Sequence, residues 1–276
     1  MLEKFSKLSL AAVATFAFAG TALADHHEGG DADHGALDTH LGKLEIGLSV
    51  PISFNGGDPG EPNSIGISPD IWYNVDSKLK VGLVHSAFGT SNYWYGPATS
   101  LCVTGDGCFD DIYLNGGLRA LYTFNQSDSM KLAADVGVNW ARIDPFILSA
   151  RLGIKGTYLL GSLVVGFNPA INIGITERDD VDFGAGITIP GNKEAIQVPV
   201  DVGYIVMPKL WAGVQSGING RFDGFGDNYE IPLNIAAMYA VNPHLNAGVA
   251  FGFDNLIGKD GSADDRGISL MVNYNL

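Results

Sequence analysis

The sequence predicts an all-β fold: a closed, antiparallel, up-and-down transmembrane β-barrel of about twelve strands. Three observations lead there. From Leu41 to Leu276, apolar residues recur at every second position, the period of a strand with one oily and one wet face. Gly, Asn, Asp, Pro or Ser bound each run, as turn chemistry requires. The connections between runs alternate between short and long.

The runs fall near 41–54, 64–75, 79–88, 111–124, 130–142, 147–160, 162–176, 195–207, 209–221, 229–241, 244–255 and 266–276. In 111–124, Ile112, Leu114, Gly116, Leu118, Ala120, Tyr122 and Phe124 share one face, opposite Asp111, Tyr113, Asn115, Gly117, Arg119, Leu121 and Thr123. Run 147–160 sets Leu148, Ala150, Leu152, Ile154 and Tyr158 against Ser149, Arg151, Gly153, Lys155 and Thr157. Run 266–276 sets Ile268, Leu270, Val272, Tyr274 and Leu276 against Ser269, Met271, Asn273 and Asn275. Pro51, Pro69, Pro169, Pro199 and Pro232 interrupt strand patterns and are expected near bulges or rims, because proline cannot donate to a ladder.

Alternation by itself fits a soluble sandwich as well as a membrane barrel, since both have one apolar and one polar face. The connections separate the two. Asp76-Ser77-Lys78, Asn125 to Ser129, Gly161, Pro208 and Asn242-Pro243 are short, and they interleave with 55–63, 89–110, 143–146, 177–194, 222–228 and 256–265, most of them longer. Short turns at one end and longer loops at the other are the habit of transmembrane barrels. Tyr122, Phe124, Tyr158, Tyr204, Tyr239 and Tyr274 fall at the turn-side ends of oily faces, where an interfacial aromatic girdle belongs.

The N-terminus is organised for export. Lys4 and Lys7 precede an apolar stretch from Leu8 to Ala19, and Ala22-Leu23-Ala24 forms a small-residue cleavage site, so 1–24 is expected to be a signal peptide. Residues 25–40 form a His- and Asp-rich periplasmic tail, and 41–276 the barrel. His26, His27, His34 and His40 stand among carboxylates. Imidazoles and carboxylates together suit zinc, copper or nickel, but the spacing is irregular and a solvated leader is the simpler reading. No metal site and no cofactor is assigned. A net charge of -14 argues against nucleic acid as a partner, because phosphates attract clustered Lys and Arg. Cys102 and Cys108 enclose five residues in a predicted loop, and in an exported protein a disulfide is the expected pairing.

The signal peptide, the alternating hairpins and the ending Gly267-Ile268-Ser269-Leu270-Met271-Val272-Asn273-Tyr274-Asn275-Leu276 resemble bacterial outer-membrane β-barrels of the small porin class. Members commonly end in an aromatic residue, whereas this chain ends in Leu276. The resemblance implies residence in the outer membrane of a diderm bacterium after signal-peptide export. It also implies outer-membrane lipid and the barrel-assembly machinery as partners.

With the polar faces inward, the lumen is expected to receive Glu45, Asp70, Lys80, Asn115, Arg119, Asp135, Asn139, Arg151, Lys155, Asp201, Arg221 and Glu230, together with Asn172, Gln215, Asn234 and Asp254. Opposed basic and acidic residues in a water-filled passage shape a field that selects small polar solutes or ions. The same residues equally suit a network of ion pairs that braces a closed barrel. Arg119, Asp135 and Arg151 lie on three consecutive runs and form the expected bracing cluster.

No enzymatic role is expected. Barrel hydrolases carry His and Ser two apart on one strand, whereas the candidate here is His85-Ser86, and adjacent strand residues point to opposite faces. The sequence therefore reads as a porin-like channel for passive passage of small hydrophilic solutes or ions. The alternative is a non-conducting barrel that binds partners through its outer loops, with Tyr93, Trp94 and Tyr95 as contact residues.

Overall fold

Sixteen strand segments are present in the computed structural model, which describes residues 43–55, 64–85, 101–104, 115–141, 147–179, 181–182, 188–189, 191–258 and 265–276. In order they are β1 (Leu44–Asn55), β2 (Ser64–Asn74), β3 (Leu79–Val84), β4 (Leu101–Thr104), β5 (Asn115–Gln126), β6 (Met130–Ala141), β7 (Ile147–Leu160) and β8 (Leu163–Phe167). There follow β9 (Ala170–Gly174), β10 (Val181–Asp182), β11 (Thr188–Ile189), β12 (Ala195–Met207), β13 (Leu210–Arg221), β14 (Glu230–Asn242), β15 (Leu245–Gly258) and β16 (Asp265–Asn275).

Each wall strand pairs antiparallel with its neighbours in sequence, and β1 pairs with both β2 and β16, so the sheet closes on itself. Two of the twelve wall positions are built from two segments each. β8 and β9 form one strand in unbroken register with β7 and β12, interrupted at Asn168-Pro169 because Pro169 has no N–H to give. The ladder still uses the carbonyl of Pro169, which accepts from Ile154 N–H at 3.0 Å. β3 and β4 share the other position: β3 pairs with the turn-side part of β2 and β4 with its loop-side part. Proline also explains a bulge opposite Pro232, where the β14–β15 register shifts between Ile231 and Leu233.

Three sequence boundaries are corrected. The third run stops at Val84 rather than 88, where the Asp70 carboxylate accepts the backbone N–H of His85 at 2.6 Å. Leu101–Thr104, expected in a loop, is a wall segment paired with β2, which places the backbone of Cys102 on a strand. The run expected at 111–124 begins, as described, at Asn115 and continues to Gln126, through a register shift between Thr123 and Asn125 that shortens the following turn. The signal peptide, the His-rich tail, Tyr93, Trp94, Tyr95 and the Cys102–Cys108 pairing lie outside the described residues.

The wall's two faces differ as the alternation requires. Leu152 is 59% exposed, Ile235 56% and Leu118 54%, all on the outward face, while their strand neighbours Arg151, Asn234 and Arg119 are buried inside. Moving the exposed half of such an aliphatic side chain from water to hydrocarbon gains on the order of 1 kcal/mol. Tyr73, Tyr122, Tyr158, Tyr204, Tyr239 and Tyr274 are also outward and exposed, clustered toward the short-turn end. There the chain reverses in a few residues; Gly161 takes φ +61°, a left-handed conformation that glycine adopts without steric cost.

In the β2–β3 turn, Asp76 Oδ1 accepts the backbone N–H groups of Lys78 and Leu79 at 2.7 and 2.8 Å. These bonds hold its carboxyl below the ordinary value of 3.8. A lowered pKa means that this contribution to the turn is complete above pH 3.8 and is lost as the pH falls through the depressed value. Asp76→Ala is expected to speed hydrogen exchange of the Lys78 and Leu79 amides at neutral pH and to leave the β5–β6 turn unchanged. Exchange measured residue by residue by NMR checks this.

Candidate functional site

Because side chains alternate along each strand, a closed wall with an oily exterior gathers polar residues into one interior space. Glu45, Asp70, Lys80, Asn115, Arg119, Asp135, Asn139, Arg151, Lys155, Asp201, Arg221 and Glu230 all stand on the inward parity of their strands. Asn172, Gln215 and Asn234 join them, and the side chain of Asp254 lies outside the described residues.

Most of the inward charges stand on β1–β3, β5–β7 and β12, with Arg221 on β13 and Glu230 on β14. Asp135 on β6 is fully buried and accepts from Arg119 on β5 twice: Nε to Oδ1 at 2.7 Å, and Nη2 to Oδ2. Arg151 on β7 adds Nε to Oδ2 at 3.3 Å and donates through Nη1 to Gln197 Oε1 on β12 at 2.5 Å. The cluster expected from three consecutive runs thus forms, and it reaches a fourth strand position through β12. Toward the short-turn end, Lys80 bonds to Glu45 and sits 4.9 Å from the Trp72 ring centre, a cation over an aromatic face. Lys155 lies within electrostatic reach of Lys80, Asp135, Glu45 and Asp201.

Toward the long-loop end of β6, β7 and β9 the interior is neutral. Asn139 Nδ2 donates to Asn172 Oδ1 at 3.3 Å. Asn192, from the β11–β12 connection, accepts from Ser149 Oγ at 3.1 Å and donates to the carbonyls of Leu148 and Thr176, both at 2.9 Å. Its neighbourhood is tied at the rim by the exposed pair Arg178–Glu194, 2.8 Å apart, whose hydrogen bond lowers the Glu194 carboxyl and raises the Arg178 guanidinium.

On the β13–β16 and β1 side, several polar atoms are buried without a hydrogen-bond partner among the described residues: Gln215 Oε1, both amide atoms of Asn234, Ser269 Oγ and Ser53 Oγ. A buried polar group left so costs about 1–3 kcal/mol.

Sequence reasoning missed the apolar part of this interior. Trp211, Met238 and Met271 point inward near the short-turn end at 1%, 0% and 2% exposure, and pack with Val164, Ala236, Ala240 and Ala250. Trp72, Val84, Leu121 and Ala133 form a second inward apolar cluster. The Trp211 indole lies flat on the wall over Gly203 and Gly213, where any side chain would collide with it. The signal was present in the parity: Trp211 and Gln215 share a face, as do Met271 and Asn273. Gln197, two inward steps from Asp201 on β12, was legible in the same way.

Removing the Asp135 carboxylate leaves Arg119 and Arg151 facing one another inside the wall. Asp135→Ala is expected to destabilise the folded barrel by about 3–5 kcal/mol, read as a lower urea midpoint for unfolding from lipid vesicles. Arg119→Ala combined with Asp135→Ala is expected to cost less than the sum of the single changes, because the two groups form one unit.

No protein-family model matches the chain, and no curated protein aligns with it significantly. Solved structures do resemble it. A NanC porin superposes with a TM-score of 0.56 at 9% identity, covering 83% of this chain and all of that one. A KdgM porin gives 0.51 at 8% identity over 84% of this chain and 99% of its own. An outer membrane channel from Pseudomonas putida F1 gives 0.51 at 15% identity over 90% of this chain and 100% of its own. Residue for residue these proteins have little in common with the chain, but the path of the wall is shared: the chain has the fold of small, porin-like outer-membrane β-barrels.

Proposed function

We propose that this protein resides in the bacterial outer membrane and passes small hydrophilic solutes or ions passively through its barrel, without catalysing a reaction. The observation that supports this most directly is the neutral wall of the lumen. A protein interior that served only as a packed core would pair its amides, since the great majority of buried polar groups are bonded. Gln215, Asn234, Ser269 and Ser53 instead stand on the inward face with buried polar atoms that have no hydrogen-bond partner among the described residues. Water or a polar solute is the natural complement. The apolar exterior and tyrosine girdle support a bilayer location, and the fold shared with porins is consistent with passage.

A second reading has its own observation. The Arg119–Asp135–Arg151–Gln197 network and the Trp211–Met238–Met271 cluster are both buried, as the interior of a sealed, braced barrel would be. That barrel would act through its long loops. In the passage reading, the paired charges form a stiff wall on one side and the apolar cluster narrows the short-turn end.

Single-channel current in a planar bilayer separates the two. Passage predicts discrete steps from folded, heat-modifiable wild-type protein. It also predicts a shift toward cation selectivity in Arg119→Ala, where the Asp135 carboxylate loses the cation that bonds it twice. Silence from correctly folded wild-type protein would overturn the passage reading in favour of the sealed barrel.

A further inference from the structure

The outer face of the wall is not evenly convex. Across β2, β3, β5 and β6 it dips into an open, apolar groove of about 750 Å³. Two rows of directly opposed outward side chains line it: one runs from Ile71 to Val138, the other through Tyr73, Val81, Ala120 and Val136. On β5, Ala120 is a small residue between Leu118 and Tyr122, which are 54% and 50% exposed. The groove also reaches the bare backbone of Gly82 and Gly137. Four strands about 4.8 Å apart make it about 14 Å across.

We infer that this groove seats an acyl chain of an anionic phospholipid whose headgroup rests at the short-turn rim. The inference rests on membrane residence and is independent of passage. In a bilayer the lining meets hydrocarbon, so exchanging one apolar neighbour for another gains nothing from the exclusion of water. Retention of one lipid therefore depends on fit and on the headgroup. A chain in the groove touches wall atoms beneath and beside it, whereas on a convex wall it touches them only beneath, and each added contact adds dispersion attraction.

The headgroup contacts lie at the short-turn end. Tyr73 and Tyr122 are outward and half-exposed there, with apolar rings and polar tips suited to the bilayer interface. Two exposed lysines stand beside them. The Lys78 carbonyl accepts the N–H of Thr123, next to Tyr122, at 2.8 Å, and the Lys43 carbonyl accepts the N–H of Asn74, next to Tyr73, at 2.9 Å. The acid of the same turn, Asp76, has its carboxylate bonded to the Lys78 and Leu79 amides. Lysines at a membrane surface attract anionic headgroups over neutral ones. A second copy of the chain suits the groove less well: a two-fold interface sets the same patch against itself, and a groove facing a groove leaves both linings without contacts.

Native mass spectrometry tests this on folded protein released from micelles that hold equal amounts of phosphatidylglycerol and phosphatidylcholine with the same chains. Wild type is expected to retain one lipid and to prefer phosphatidylglycerol by about fivefold or more, the effect of one or two lysines at a membrane surface. Ala120→Phe, which fills the groove, is expected to lose that lipid; Ala237→Phe, at an outward alanine on β14, is expected to keep it. Lys43→Gln combined with Lys78→Gln is expected to retain a lipid without the preference. If Ala120→Phe does not reach the heat-modifiable form, Ala120→Val carries the same comparison. Equal retention by wild type and the folded Ala120 variant, equal loss in Ala237→Phe, an unaltered preference without the lysines, or a lipid-free dimer would overturn the lipid groove and leave membrane residence standing. Folded protein that does not insert into phospholipid vesicles would overturn membrane residence itself.

Discussion

The seam between β1 and β16 is the constraint on which the rest of the structure depends. Eleven residue pairs align along it, from Glu45 opposite Asn275 to Asn55 opposite Asp265, and at its end Leu44 and Leu276 exchange backbone hydrogen bonds. Without that seam both edge strands would present unpaired N–H and C=O groups, which hydrocarbon cannot satisfy. Closure also defines an inside. The alternation of β7 sends Arg151 and Lys155 one way and Leu152 and Ile154 the other, but only a closed wall makes the first set converge on Asp135, Gln197 and Asp201.

Convergence then divides the interior by chemistry. Arginines and an aspartate from β5, β6 and β7 find one another because their registers align: Arg119 opposes Gly137, which opposes Arg151, while Asp135 lies one inward step away. The glycine between the two arginines is part of the arrangement, since a side chain at 137 would strike Arg119. On β13, β14, β16 and β1 the same parity gathers amides and hydroxyls that have no partner among the described residues. At the short-turn end it stacks tryptophan and methionine against glycines. A braced charged wall, a neutral polar wall and an apolar cluster therefore arise from one rule, inward parity, applied to different residues.

Much of this was legible in the sequence. Alternation located the wall strands, and the short turns at Gly161 and Pro208 identified one end of the barrel. Parity put the charged residues inside and made the Arg119–Asp135–Arg151 cluster an expectation. What escaped had physical causes. Strand ends depend on partners as well as on pattern: the third run extends on pattern to 88, but the Asp70 carboxylate accepts the His85 N–H just past Val84, and Leu101–Thr104 becomes a strand only because β2 offers it an edge. The apolar cluster escaped because polar residues were taken to mark the lumen, so Trp211 and Met271, although on the inward parity, carried no signal of their own. Which inward groups pair and which do not is set by register across the wall, and alternation within one strand is silent on it.

Disulfide trapping across the closing seam, in a Cys102→Ser, Cys108→Ser background, tests the closed barrel most directly. Leu48 and Val272 oppose one another on the outward face, so Leu48→Cys with Val272→Cys should cross-link readily in folded protein. Leu48→Cys with Leu270→Cys, displaced by one outward step, should not. Equal cross-linking of both pairs, or none in either, would contradict the β1–β16 register and with it the enclosed interior.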